Sequence, residues 1–244
     1  MSLNTANAAL DILLLAVFII GICYPVIAVF SFARHREKKS EYKIYRFAVC
    51  IAAHNEQAVM ARLIKSIRAC VYPRENICIF VAADGCNDMT AEIAQSCGAA
   101  VLRRHSDGNK GSALCDLFDF VDKSGYDYDC VVVFDADNTV DEYFFAELSD
   151  KLSQGYDAVQ GYIDSQNPNR SWVSNAYSVW YWVLNRTMQM GFDRLGFGCR
   201  LDGTGFAVKR EVLKRIPFRT KTLAEDREYT CYLALGGVKV RYAE

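Results

Sequence analysis

The sequence predicts an α/β domain, a mostly parallel sheet with helices on both faces, preceded by one N-terminal transmembrane helix. Three observations predict it. An uncharged apolar run covers residues 12–30, strand-like and helix-like segments alternate from residue 46 onward, and polar, mostly acidic residues stand at four successive strand ends. Such alternation packs helices on both faces of a parallel sheet, and ligands bind beyond the carboxyl ends of its strands.

The run ILLLAVFIIGICYPVIAVF at residues 12–30 carries no charge. It approaches the ~20 residues that a helix needs to cross the hydrocarbon core. Pro25 is tolerated in a membrane helix. Arg34, Arg36, Lys38 and Lys39 follow, whereas residues 1–10 hold no basic residue. The positive-inside rule then leaves the N-terminus outside and everything after residue 34 in the cytoplasm. A secretory signal would show the reverse charge order and a small-residue cleavage site. A buried soluble helix is the plain alternative. The reading is a cell-membrane anchor over residues 1–33, a basic juxtamembrane linker over 34–45, and a cytoplasmic domain over 46–244.

The domain begins with a β-rich run at 46–53, then a helix at 56–69 with Met60, Leu63, Ile64 and Ile67 on one side. A second strand is expected at 77–83, and a helix capped by Asp88 runs through Cys97 to Gly98. A brief strand at 101–102, a helix at 111–123 and a strand at 131–134 follow. The second half is less regular, with a strand at 156–163, an aromatic-rich helix at 172–192, a glycine-rich loop at 196–205, a helix at 223–235 and a strand at 238–242.

Composition narrows the function classes. The chain has 244 residues, 52% hydrophobic and 23% charged, enough to bury a sizeable core. Its net charge of −1, with no basic stripe in the body of the chain, argues for no nucleic-acid partner. Ten cysteines lack CxxC pairs and lack His at finger spacing. Several sit inside apolar runs such as FAVCIAA, which predicts free buried thiols in a reducing compartment.

Chemistry concentrates at the strand ends. His54-Asn55-Glu56 follows the first, Asp84-Gly85 the second, residues 103–110 the third and Asp135-Ala136-Asp137 the fourth. Two carboxylates spaced by one residue project the same way and suit Mg²⁺ or Mn²⁺ beside a diphosphate. A solvated turn is the bland reading of a lone DxD. Lys110, after Asp107-Gly108-Asn109 and before a helix, suits a phosphate, although an ordinary surface lysine has the same look. Glu225-Asp226 opens a helix, where acidic residues also simply complement the helix dipole; the functional reading makes Asp226 a general base. Gly203-Thr204-Gly205 allows close approach of the backbone to a ligand, or is a tight turn. Trp172, Trp180 and Trp182 fit core or membrane-facing surface better than sugar stacking. His54 and His105 lack a nucleophile partner and read as loop residues.

In this order and spacing, the motifs over residues 46–244 resemble the family 2 glycosyltransferases of the GT-A (Rossmann-like) fold. His54-Asn55-Glu56 resembles that family's "NE" signature, residues 83–88 its Asp-Asp-Gly-Ser-x-Asp turn, and Asn109-Lys110-Gly111 its Lys-Gly/Ala segment. Asp135-Ala136-Asp137 resembles its DxD and Glu225-Asp226 its catalytic "ED". With the anchor, the chain is most similar to cellulose, chitin and hyaluronan synthases. The resemblance implies a hexosyltransferase with a nucleotide-binding half at 46–140 and an acceptor and catalytic-base half at 141–244. It implies contacts to a UDP-sugar donor from Ala53, Asn55, Glu56, Asp84, Lys110, Asp135 and Ala136, and a divalent metal on Asp137 and Asp135. It also implies Asp226 as base beside Glu225, with Gly203, Thr204 and Gly205 near a saccharide or lipid-linked acceptor and inversion at the anomeric carbon.

Two departures stand out. Ala83 replaces the first Asp of the usual pair, and the sequence reaches Glu244 without the synthases' Gln-x-x-Arg-Trp motif or further membrane helices. Processive polymerisation therefore has no support, and the acceptor half is either truncated or lacks these parts. Two other readings compete. A sugar nucleotidyltransferase would show a glycine- and arginine-rich loop where AAHNEQAV stands. A non-catalytic, membrane-tethered nucleotide-binding module would not need Asp135, Asp137 and Asp226 together.

Overall fold

The computed structural model describes residues 3–32, 41–105 and 109–243. The basic residues Arg34, Arg36, Lys38 and Lys39, and Asp107-Gly108 ahead of Lys110, lie outside the described residues.

The first helix, α1, runs Leu3–Phe30 with Pro25 inside it. Its Leu10–Phe30 stretch is long and apolar enough to cross a membrane, and most of its apolar side chains are exposed. The domain that follows is built on β1 (Phe47–Ala53), β2 (Ile77–Asp84), β3 (Ala100–Arg104) and β4 (Cys130–Asp135), which pair in parallel with β1 between β2 and β4. Strands buried on both faces read as continuous apolar runs, and FAVCIAA is one. The seven-stranded sheet has the order β3-β2-β1-β4-β6-β5-β7. β6 (Phe206–Lys209) is antiparallel to both β4 and β5 (Ala158–Gln160), and β7 (Val240–Tyr242) is parallel to β5.

Helices cover both faces. Alternation along β1 sends Phe47, Val49 and Ile51 to one side, against Met60, Leu63, Ile64 and Ile67 of α2 (Met60–Ala69) and Phe145, Leu148 and Leu152 of α5 (Phe144–Ser153). Ala48 and Cys50 face the other side, where Leu114, Leu117, Phe118 and Val121 of α4 (Lys110–Lys123) pack with Tyr229 and Leu233 of α9 (Glu225–Leu235). The remaining helices are α3 (Thr90–Ser96), α6 (Trp172–Val183), α7 (Met190–Arg194) and α8 (Arg210–Arg215).

Several expectations are corrected. Residues 56–59 form a turn rather than helix, with the Glu56 carbonyl accepting from both Val59 N and Met60 N. The strand expected at 156–163 stops at Gln160, because Gly161 bends the chain and donates to the Gly205 carbonyl at 2.8 Å. A Cβ on Gly161 would lie 2.5 Å from the Phe144 ring. The helix expected at 172–192 divides into α6, a π-helical turn at Leu184–Gln189, and α7. The ten cysteines are free thiols, as the sequence predicts, but Cys23 and Cys231 are exposed rather than buried.

Candidate donor and acceptor site

The four strand ends are joined by a chain of polar contacts. Between β1 and β2, Asn55 adopts φ 57°, a left-handed conformation that asparagine tolerates. Its side-chain oxygen accepts from Asn87 N at 2.8 Å, while Asn55 N donates to the Cys86 sulfur. The Cys86 thiol in turn donates to the Ala53 carbonyl. Asp88 accepts from Gln57 N, Thr90 N and Thr90 Oγ1, and these bonds hold its carboxyl below the usual aspartate range despite the opposing desolvation. Glu56 N donates to Thr90 Oγ1, and the Glu56 side chain is half-buried.

Between β2 and β3, Asp84 is buried and receives Arg104 Nη1 at 2.8 Å. Arg104 also reaches Ser112 Oγ and Asp116 on α4. In the sequence, the signal for Arg104 is only that of an arginine ending a half-buried strand.

The start of α4 brings in the other half of the crevice. Asn109 caps the helix by accepting from Gly111 N and Ser112 N. Lys110 Nζ then lies 2.5 Å from Asp135 Oδ1, 3.2 Å from Glu225 Oε1 and 2.9 Å from the Gly203 carbonyl. Burial disfavours the charge on Lys110, but Asp135 and Glu225 outweigh it and hold its pKa above the ordinary lysine value.

The turn after β4 is pinned to the loop 203–205. Asp135 N donates to Asn138 Oδ1 and to Thr204 Oγ1, at 3.2 and 3.0 Å, and Thr204 Oγ1 donates to Asn138 Oδ1. Gly205 N donates to the Val133 carbonyl. Buried Gln160, which nothing in the sequence sets apart, holds the loop from behind. Its Nε2 donates to the Thr204 carbonyl at 2.9 Å, and its Oε1 accepts from Asp202 N. Gly203 takes φ 74°, and a Cβ there would stand 3.5 Å from Asp226 Oδ2 and 3.7 Å from Lys110 Nζ. Asp135, Lys110, Glu225, Asp226 and Gly203 therefore surround one point. Ala136 is buried under the turn and Asp137 is exposed. A cavity of about 750 Å³ opens beyond Asn138, Thr204 and Gly205, bordered by Ile163 and Asp164.

The sequence pattern described as glycosyltransferase like family 2 matches residues 45–244. The chain belongs to that glycosyltransferase family. Curated relatives include a probable glycosyltransferase, YdaM, of Bacillus subtilis, 24% identical over 206 residues covering 81% of this chain and 48% of the relative. A beta-monoglucosyldiacylglycerol synthase of Nostoc sp. is 26% identical over 241 residues, 90% of this chain and 49% of the relative. The chain thus spans about half the length of these curated relatives. Among solved structures, the mannosyltransferase PcManGT of Pyrobaculum calidifontis, in complex with GDP-Man and Mn²⁺, aligns with a TM-score of 0.68 at 17% identity, covering 91% of this chain and 61% of that one. TarS of S. aureus in complex with UDP-GlcNAc aligns at 0.60 and 13% identity, covering 81% and 55%. At these identities the structural matches speak to the fold, which is that of the GT-A glycosyltransferases.

For this family 2 domain the donor set suits a hard divalent ion. Among the described residues no group of three or more His, Cys, Asp or Glu side chains gathers. Asp135 and Asp137 would supply two carboxylates, leaving the other positions to diphosphate oxygens and water, as Mg²⁺ or Mn²⁺ accepts. The turn that presents them is braced by Arg62 and Gln166, which both donate to the Asp137 carbonyl.

Proposed function

We propose that this chain is an inverting glycosyltransferase that moves a sugar from a nucleotide-sugar donor, a UDP-sugar, to a lipid-linked or saccharide acceptor. The observation that carries the proposal is the meeting of Asp135 and Glu225 on Lys110, with Asp226 beside the same glycine. A cation and paired carboxylates at the carboxyl end of a parallel sheet suit a diphosphate and its leaving charge.

Asn55, Glu56 and Asp84 would line the nucleotide side, with Ala53 and Ala136 contributing backbone. Lys110, released from its carboxylates by the donor, would bind diphosphate oxygens. A divalent ion on Asp137 and Asp135 would neutralise charge on the departing nucleoside diphosphate. Asp226 Oδ1 already accepts from Arg227 N, so Oδ2, which faces Gly203, is placed to take the acceptor hydroxyl's proton. That hydroxyl attacks the anomeric carbon opposite the departing diphosphate, which inverts it. Gly203, Thr204 and Gly205 would border the acceptor.

Helix α1 would anchor the domain in the cell membrane, with the crevice on the cytoplasmic side. The relative whose name specifies a glucosyldiacylglycerol product supports a lipid acceptor over a growing polysaccharide. Membership of the cellulose, chitin and hyaluronan synthase group is a finer reading that this acceptor choice sets aside.

A donor screen with Mn²⁺ or Mg²⁺ on the wild type and on Asp226→Asn tests the proposal. Both proteins should bind UDP in a metal-dependent way, and the wild type should transfer or hydrolyse sugar while the variant does not. Tight UDP binding without turnover would leave a nucleotide-binding module. Absence of metal-dependent nucleotide binding would overturn the reading.

A further inference from the structure

Helix α6 is inside out for a surface helix of a soluble domain. Such a helix turns its apolar stripe to the core, yet the side of α6 that is buried carries Ser178, while Trp172, Tyr177, Val179, Trp180, Trp182 and Val183 are exposed. Trp172 is 82% exposed. From Ser171 to Asn185 there is no charged residue, and exposed Arg170 and Arg186 flank the run. An exposed apolar patch of this kind marks an interaction surface.

What covers it follows from what it is joined to. The π-helical turn and α7, which continue α6, pack against the C-terminal end of α1. Gly191 lies so close to Ile27 that a Cβ would stand 2.7 Å from the Ile27 carbonyl oxygen. Arg194 Nη1 donates to the Ser31 carbonyl, and the Arg186 guanidinium lies 5.2 Å over the Phe32 ring. If α1 spans a bilayer, its last turn is at the bilayer surface, and so is the helix fixed to it. Trp and Tyr prefer that depth, where the ring is in the acyl boundary and the polar edge reaches the headgroups, and flanking arginines meet anionic headgroups.

We propose that α6 is a second membrane contact, its aromatic face seated in the headgroup–acyl boundary of an anionic bilayer. This rests on the reading of α1 as a membrane anchor. The contact has a consequence for the crevice. Trp182 Nε1 donates to Asp164 Oδ1 at 2.9 Å and Asn185 Nδ2 to the Ile163 carbonyl, and both partners border the cavity beside Thr204 and Gly205. Seating α6 brings the mouth of that cavity to headgroup level, where a lipid hydroxyl is presented without leaving the membrane.

The three tryptophans of the chain are all on α6, so native tryptophan emission reads this helix alone. The full chain is reconstituted into phosphatidylcholine–phosphatidylglycerol vesicles with and without acyl-brominated lipid, and labelled with a water-soluble thiol reagent mapped by mass spectrometry. Cys23 in α1 reports insertion of the anchor, and exposed Cys231 on α9 is the accessible control. The expected result is loss of most tryptophan emission to brominated lipid, with Cys23 protected and Cys231 labelled. In Trp172→Glu/Trp180→Glu the remaining Trp182 should escape quenching while Cys23 stays protected. Unquenched wild-type emission with Cys23 protected overturns the α6 contact, and leaves a protein partner or second copy as its cover. Labelling of Cys23 overturns the anchor, and the proposal with it.

Discussion

Gly111→Ala tests whether the proposed reacting groups owe their placement to the contact between the start of α4 and the segment leading into α9. A Cβ at position 111 would lie 2.5 Å from Thr220 Oγ1, 3.2 Å from Asn109 Oδ1 and 3.3 Å from Glu225 Cβ. Reaching an ordinary separation of ~3.5 Å requires a displacement of about 1 Å. The helix itself gains ~1 kcal/mol from alanine over glycine, against ~1–3 kcal/mol for overpacking. Net destabilisation is therefore at most about 2 kcal/mol, a Tm decrease of no more than ~8 °C for a domain of this size. Catalysis should feel it more. The displaced segment carries Glu225 and leads into Asp226, and a misplacement of ~1 Å at reacting groups costs on the order of 100-fold in rate.

The second arm of the test is Thr220→Ala. Buried Thr220 Oγ1 has no hydrogen-bond partner among the described residues, so removing it should leave stability and rate nearly unchanged. In Gly111→Ala/Thr220→Ala the closest clash is gone, and most of the lost rate should return, a coupling that a double-mutant cycle reads directly. Steady-state kcat from release of the nucleoside diphosphate and thermal melts measure both quantities. A single variant with wild-type kcat, or a double variant as slow as the single, refutes the positioning argument.

Two further predictions concern the scaffold. Glu228 accepts from Lys221 N, Thr222 N, Thr222 Oγ1 and Tyr232 Oη, which hold its pKa down at about 2 against an ordinary 4.5. A depressed folded-state pKa stabilises fully above the unfolded value and loses that contribution as pH falls toward the folded one. Glu228→Gln should thus melt below the wild type at neutral pH, with the gap narrowing between pH 4.5 and 2, as Tm against pH would show. Phe145 is fully buried among the rings of Phe47, Phe134, Phe144 and Tyr72, so Phe145→Ala should cost ~3–5 kcal/mol in denaturant unfolding.

The first half of the domain was legible because β1, β2 and β4 are buried on both faces. Their apolar runs leave few alternatives, and each run stops at the polar residues that face the crevice. β6 was missed since four residues directly after a glycine loop carry little periodicity, and its pairing with β4 comes from tertiary structure. The break in the helix expected at 172–192 is equally silent, because a π-helical turn uses the same residue types as the helix around it. The exposed face of α6 was readable in part as membrane-facing surface, but its burial of serine instead of tryptophan is visible only with the fold in hand.

Residue types also conceal the partnerships within the crevice. Asp84 and Asp135 both read as strand-end carboxylates, yet they meet different cations. Asp84 is paired with Arg104 at 2.8 Å, with 10% and 11% of the two side chains exposed, a geometry that holds both in place. Asp135 shares Lys110 with Glu225; the Asp135 and Lys110 side chains are 40% and 31% exposed, whereas Glu225, at 10%, is as enclosed as Asp84. Breaking a buried pair strands a charge, whereas a partly solvated lysine changes partners at small cost. The fixed pair would therefore belong to the frame of the proposed donor side. Lys110 is the cation that an incoming diphosphate can recruit, and its departure would leave Asp135 free for the metal that the same diphosphate brings.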